Sequence, residues 1–141
     1  MEEYISNNEQ DTKEIALQIS RKLTAGDIVL LKGDLGAGKT AFVKGIIKAY
    51  GGDESQVTSP TFTIVNEYNV LGKTIYHFDL YRIESVEELF NIGIEEYFYS
   101  VGICFIEWPE RAEELFVGSH KKITIEKTGE TSRKIKFEEI E

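Results

Sequence analysis

At 141 residues, 41% of them apolar and 29% charged, the chain is the size of one globular domain with its own core, and its composition excludes the disordered and fibrous classes. Sixteen basic residues against twenty-five acidic ones leave a formal charge of −9, which opposes broad, salt-driven binding to a phosphate backbone; any nucleic acid involved is expected to be gripped mainly by another protein. The single cysteine, Cys104, rules out an intramolecular disulfide, the first residues lack a secretory signal and no apolar run approaches bilayer length, so a cytoplasmic protein without membrane association is expected.

Tyr4 and Ile5 read as a short edge strand, and Ser6, Asn7 and Asn8 suit a turn or helix cap. Over residues 12–23, Ile15, Ala16, Ile19 and Leu23 recur on one helical face, and Gly26 is expected to stop that helix. Ile28, Val29, Leu30 and Leu31 form a short continuous apolar run, as in a strand buried on both faces. A glycine-rich stretch, GDLGAGKT over residues 33–40, leads into Phe42, Val43, Ile46, Ile47 and Tyr50 at helical spacing, and Gly51-Gly52 ends that segment.

Residues 61–68 and 73–80 are rich in β-branched and aromatic residues, and the short joint Val70-Leu71-Gly72 predicts an antiparallel hairpin. Residues 85–90 begin like a helix, with Ser85 as N-cap and Glu88 three residues on. Residues 101–106 are a second strand of the buried type, ended by Glu107-Trp108-Pro109. Alternating runs at 122–127 and 134–137 flank Thr128-Gly129-Glu130-Thr131 and predict a closing hairpin with one wet face. The whole reads as one α/β domain, residues 1–141, without internal repeat or linker.

GDLGAGKT matches G-x-x-x-x-G-K-[ST] through Gly33, Gly38, Lys39 and Thr40. Glycines permit backbone angles at which successive N–H groups converge on phosphate oxygens, here along Gly33, Asp34, Leu35, Gly36, Ala37 and Gly38. The anion also meets the N-terminus of the helix beginning near Lys39, where unpaired N–H groups and the helix dipole favour negative charge. Lys39 is expected to reach the β- and γ-phosphates and Thr40 to offer its hydroxyl to Mg²⁺.

Such a loop requires an acid at the end of a neighbouring buried strand. Glu107, after the apolar run 101–106, is favoured as metal ligand; Asp79, after Tyr76-His77-Phe78, is the candidate for orienting the attacking water or binding the metal through water. In Ser59-Pro60-Thr61-Phe62, Thr61 either reports the γ-phosphate or simply enters a strand. Trp108, the only tryptophan, is either a packing aromatic or a functional one, and Arg82, Arg111 and Arg133 are the arginines available to neutralise phosphate charge. His77 and Cys104 read as packing residues inside strands.

Together GDLGAGKT, SPTFTIVNEY, YHFDLYR and ICFIEWPE resemble the bacterial TsaE family, small P-loop ATPases needed for threonylcarbamoyl modification of adenosine 37 in tRNA. The resemblance covers about residues 15–111. It implies a single P-loop NTPase domain with a mixed parallel and antiparallel sheet flanked by helices, ATP as nucleotide, and Mg²⁺ held by Thr40 and Glu107. It implies that Asp79, Thr61 and Trp108 occupy site positions, that Gln10, Asp11 and Thr12 are candidates for contacting adenine, and that Arg133 is a candidate for the phosphates. It also implies two partners, TsaD and TsaB, with TsaD transferring the threonylcarbamoyl group and ATP hydrolysis permitting turnover. Two other readings of the loop remain, a small-molecule kinase and an ATP-gated binding module. A kinase needs an arginine-bearing lid, whereas residues 83–99 carry Glu84, Glu87, Glu88, Glu95 and Glu96.

Overall fold

The computed structural model describes residues 1–60 and 63–141. Seven strands form one mixed sheet: β1 (Glu2–Ser6), β2 (Ile28–Lys32), β3 (Val65–Val70), β4 (Lys73–Asp79), β5 (Ile103–Glu107), β6 (His120–Lys127) and β7 (Arg133–Ile140), in the spatial order β1-β7-β6-β2-β5-β4-β3. The central four, β6, β2, β5 and β4, are parallel, while β1 with β7, β7 with β6, and β3 with β4 pair antiparallel. The mixed α/β architecture is therefore as expected.

Alternation along the central strands assigns each face its core. Val29 and Leu31 of β2, with Ile103 and Phe105 of β5, pack under α1 (Glu9–Ser20) and α2 (Lys39–Ala49), joined by Phe42, Ile46 and Ile47. Leu30, Cys104 and Ile106 face the other way. There α3 (Glu87–Asn91), α4 (Ile94–Phe98) and a 3₁₀ segment, Pro109–Leu115, supply Leu89, Ile94 and Ala112. Two covered faces explain why the central strands read as unbroken apolar runs.

Several boundaries differ from expectation for local reasons. Asn8 caps α1 by accepting the Asp11 N–H at 2.8 Å, so the helix starts three residues before the expected 12. It ends at Ser20, not at Gly26: the Lys22 N–H returns to Ile19 O, and the Asp27 carboxylate takes the Thr24 N–H at 2.7 Å to build a separate turn. Gly26, at φ +87°, belongs to that turn.

The strand expected over 61–68 begins at Val65, because Pro60 O accepts from Thr63 N and Ile64 N and Ile64 has φ +68°. Its hairpin turns tightly at Leu71-Gly72, both at positive φ. Ser85 is not the N-cap: α3 starts at Glu87, although Glu88 does accept the Ser85 N–H at 3.1 Å, half of the expected box. The unanticipated α4 follows its N-cap Gly93, whose φ of +76° separates it from α3. No helix among the described residues is long and apolar enough to cross a membrane.

Candidate functional site

The C-terminal ends of β2, β5 and β4 converge beneath the N-terminus of α2, the position at which open parallel sheets bind ligands. The loop of residues 33–38 connects β2 to α2. Gly33 is required there by space, since a Cβ would lie 2.9 Å from Ile125 O and 3.1 Å from the Ala37 Cβ. Gly38 caps α2 at φ +106°, in the left-handed region that side chains disfavour, so the loop can turn directly into the helix.

Lys39 is 6% exposed. Its Nζ donates to Gly33 O at 2.6 Å, lies 3.7 Å from Glu107 Oε1, and stands 4.1 Å from the centre of the Trp108 ring. A cation held over a partly desolvated indole is stabilised by about 1–2 kcal/mol. Trp108 adopts φ +57°, an uncommon conformation for a bulky residue, in which it caps the 3₁₀ segment and packs against Tyr81 with ring centroids 4.9 Å apart. Arg111 lies over the far ring, 5.5 Å from the Tyr81 centroid.

Asp79 and Glu107 are direct neighbours in the parallel ladder, and each is 5% exposed. Asp79 Oδ1 accepts the Tyr81 N–H at 2.9 Å. Glu107 Oε2 is hydrogen-bonded to Nε2 of His77, which is fully buried. His77 therefore does more than pack. The sequence signal was present in YHFD: residues two apart on a strand share a face, so His77 points with Asp79 toward α2 while Phe78 joins the opposite core. Cys104 is a packing residue as expected; burial pushes its thiol up to about 12 and keeps it unreactive.

Lys39, Thr40, Asp79, Glu107 and Trp108 line one cleft of about 280 Å³, together with Ser59, Leu35, Gly36 and Gly38. A second cleft, about 390 Å³, adjoins it at Gly38 and Thr40 and is lined by Asn8, Glu9, Thr12, Lys44, Glu130, Thr131 and Arg133. Of the N-terminal candidates only Thr12 lines it. The Asp11 carboxylate accepts the Asn7 N–H instead, and Gln10 is exposed outside the cleft lining. Arg133 braces the glycine loop, donating from Nε to Ala37 O at 2.8 Å and from Nη2 to Gly36 O at 3.2 Å. Gly33 and Asp34 face a third depression, beyond Trp108. Thr61 lies outside the described residues.

The donors available to a metal, a threonine hydroxyl and two carboxylates, are all hard oxygens, which suits Mg²⁺. No group of three or more His, Cys, Asp or Glu capable of holding a metal occurs among the described residues. Mg²⁺ is usually held by one or two carboxylates together with phosphate and water, so the small donor set fits it.

A buried strand, a glycine loop and a helix opening over the ends of parallel strands define a P-loop α/β domain. The family model described as "Threonylcarbamoyl adenosine biosynthesis protein TsaE" matches residues 6–135, and the chain belongs to that family. It is 41% identical over 130 residues to the tRNA threonylcarbamoyladenosine biosynthesis protein TsaE of Bacillus subtilis, covering 92% of this chain and 80% of the relative. The protein of the same name from Treponema pallidum is 46% identical over 113 residues, 79% of this chain and 82% of the relative. The crystal structure of Bacillus subtilis YdiB superposes with a TM-score of 0.77 at 35% identity, covering 96% of this chain and 83% of that one.

Proposed function

We propose that this chain binds Mg-ATP across the two clefts and hydrolyses it, with TsaD and TsaB as partners, to permit turnover in the threonylcarbamoyl modification of adenosine 37 in tRNA. The single observation that carries the nucleotide reading is the convergence of Lys39, Thr40, Asp79 and Glu107 in one cleft at the N-terminus of α2. Their chemistry is matched to a triphosphate. The loop amides and the helix N-terminus receive phosphate oxygens, and Lys39 leaves Gly33 O to bind the β- and γ-phosphates. Asp79, fixed by the Tyr81 N–H, orients the attacking water. Thr40 and Glu107 would hold Mg²⁺, which when bound neutralises charge developing on the β- and γ-phosphate oxygens.

Arg133 is committed to loop carbonyls, so no cationic side chain beyond Lys39 is assigned to the γ-phosphate. Hydrolysis by the isolated chain is therefore expected to be slow and to rise when partners complete the site. The formal charge of −9 suits an assembly in which tRNA is gripped by other subunits. The test is reconstitution: many-turnover tRNA modification by TsaD and TsaB, with and without this chain and ATP. Modification that stalls near one turnover until both are added supports the proposal; undiminished turnover without them overturns it.

A further inference from the structure

His77 occupies the middle of β4, fully buried, where an apolar side chain would ordinarily serve the core better. Its Nδ1 has no hydrogen-bond partner among the described residues. Burying an imidazole with one nitrogen unsatisfied is unfavourable, so the fold alone gives no reason for it. The other nitrogen supplies one: Nε2 meets Glu107 Oε2. The contact with Glu107 is thus the one polar engagement the imidazole makes among the described residues.

The two oxygens of Glu107 thus have different surroundings. Oε2 is taken by His77, and Oε1 stands 3.7 Å from Lys39 Nζ, a separation beyond hydrogen-bond range. A glutamate free to rotate, this close to an ammonium with both side chains nearly buried, would close that gap, and both groups would then be engaged with each other. We infer that His77 is a positioning residue: by holding Oε2 it keeps Oε1 directed into the cleft and away from full contact with Lys39, offering the carboxylate to a divalent cation and the lysine to phosphate. The parallel ladder makes this possible, because His77 and Asp79 share a face of β4 and Asp79 sits opposite Glu107.

The inference rests on the Mg-ATP reading above, and the experiment separates the two. ATP binding to the full chain is measured by calorimetry in EDTA and across a Mg²⁺ titration, for the wild type and for His77→Phe, His77→Asn and His77→Gln, with a thermal melt of each. His77→Phe keeps the ring without a donor, and the His77→Asn amide is too short to reach Glu107. Either one that folds is expected to raise the Mg²⁺ concentration needed for tight ATP binding by about 10- to 100-fold, with affinity in EDTA changed less than about threefold. The longer amide of His77→Gln places an N–H near the Nε2 position and is expected to restore the Mg²⁺ requirement to within about threefold of wild type. A wild-type Mg²⁺ requirement in folded Phe or Asn variants, an equal loss with and without Mg²⁺, or a folded Gln variant as deficient as Asn overturns the role of His77. A wild-type chain that binds ATP with no response to Mg²⁺ overturns the reading of the metal site itself.

Discussion

Two clefts meet at Gly38 and Thr40, and they are built by opposite means. The cleft holding Lys39, Asp79 and Glu107 is formed by the ends of three adjacent parallel strands, so the register that pairs Asp79 and Leu31 with Glu107 sets where each functional group stands. The cleft holding Thr12, Lys44 and Arg133 is assembled from the start of α1, the flank of α2 and the tip of the β6–β7 hairpin. Its acids, Glu9 and Glu130, are exposed. Groups fixed by a buried ladder are pre-organised for chemistry, whereas groups on helix ends and turn tips adapt to whatever occupies them. The phosphate side is therefore expected to respond sharply to substitution and the neighbouring cleft weakly.

The strongest attempt to break this contrast is Lys39→Ala. It removes the buried ammonium that anchors on Gly33 O and faces Glu107, and losing one member of such a charged set typically costs 2–5 kcal/mol. ATP affinity is expected to fall about 10³-fold in calorimetry, with a lower melting temperature because Glu107 loses its nearest cation. Next is Asp79→Asn, which preserves shape and can still accept the Tyr81 N–H. Hydrolysis is expected to fall about 10²-fold while ATP affinity changes less than about threefold. If Asp79→Asn weakens binding as much as Lys39→Ala does, Asp79 serves ground-state binding and its assignment to water is wrong.

The same contrast governs what was legible in the sequence. Residues 33–40 could be read because each position answers to one local requirement, a close approach at Gly33, a left-handed cap at Gly38, a cation and a hydroxyl at the helix start. Asp79 and Glu107 were legible as acids ending buried strands, since strand order alone brings such ends together. The face that His77 shares with Asp79 could be read from YHFD, but its partnership with Glu107 could not, because that depends on which strand lies beside β5, a non-local fact. Trp108 was visible as an aromatic of unassigned purpose; its contact with Lys39 depends on a positive φ that the sequence does not announce. Boundaries failed where side chains captured backbone groups, as Asp27 does after α1, and α4 was missed because the helix expected over 85–90 was not followed past Gly93. Arg133 was legible only as one of three arginines available to phosphate, singled out by family resemblance; its bracing of the loop was not legible, since the hairpin carries it to Ala37 O from 96 residues away in the chain.

Arg133 sharpens the comparison because it spans both regions. It reaches from the hairpin to the loop and also donates from Nη1 to Ser132 O at 2.9 Å, so it ties the adaptable side to the rigid one. Arg133→Ala is expected to weaken ATP binding about tenfold, the scale of one or two charge-assisted hydrogen bonds. Arg133→Lys is expected to recover little, because one ammonium cannot replace the guanidinium fork that bonds Ala37 O and Gly36 O together. Full recovery by lysine would mean that charge, and not bracing of the loop, is what the position supplies.

The smallest effects are expected at Lys44 and Glu130, which line the wider cleft without a hydrogen bond or ion pair to the glycine loop among the described residues. Lys44 is half-buried and Glu130 exposed, and solvent-facing polar groups of this kind contribute about 0–1 kcal/mol, because water competes for them and their side chains lose freedom on ordering. Lys44→Ala and Glu130→Ala should each change ATP affinity by less than about threefold, with Mg²⁺ dependence and melting temperature unchanged. A tenfold loss at either would mean that the cleft closes firmly on the base. The hairpin tip and the start of α1 would then be ordered by nucleotide, and the division into a rigid chemical side and a tolerant side would hold only for the ligand-free chain.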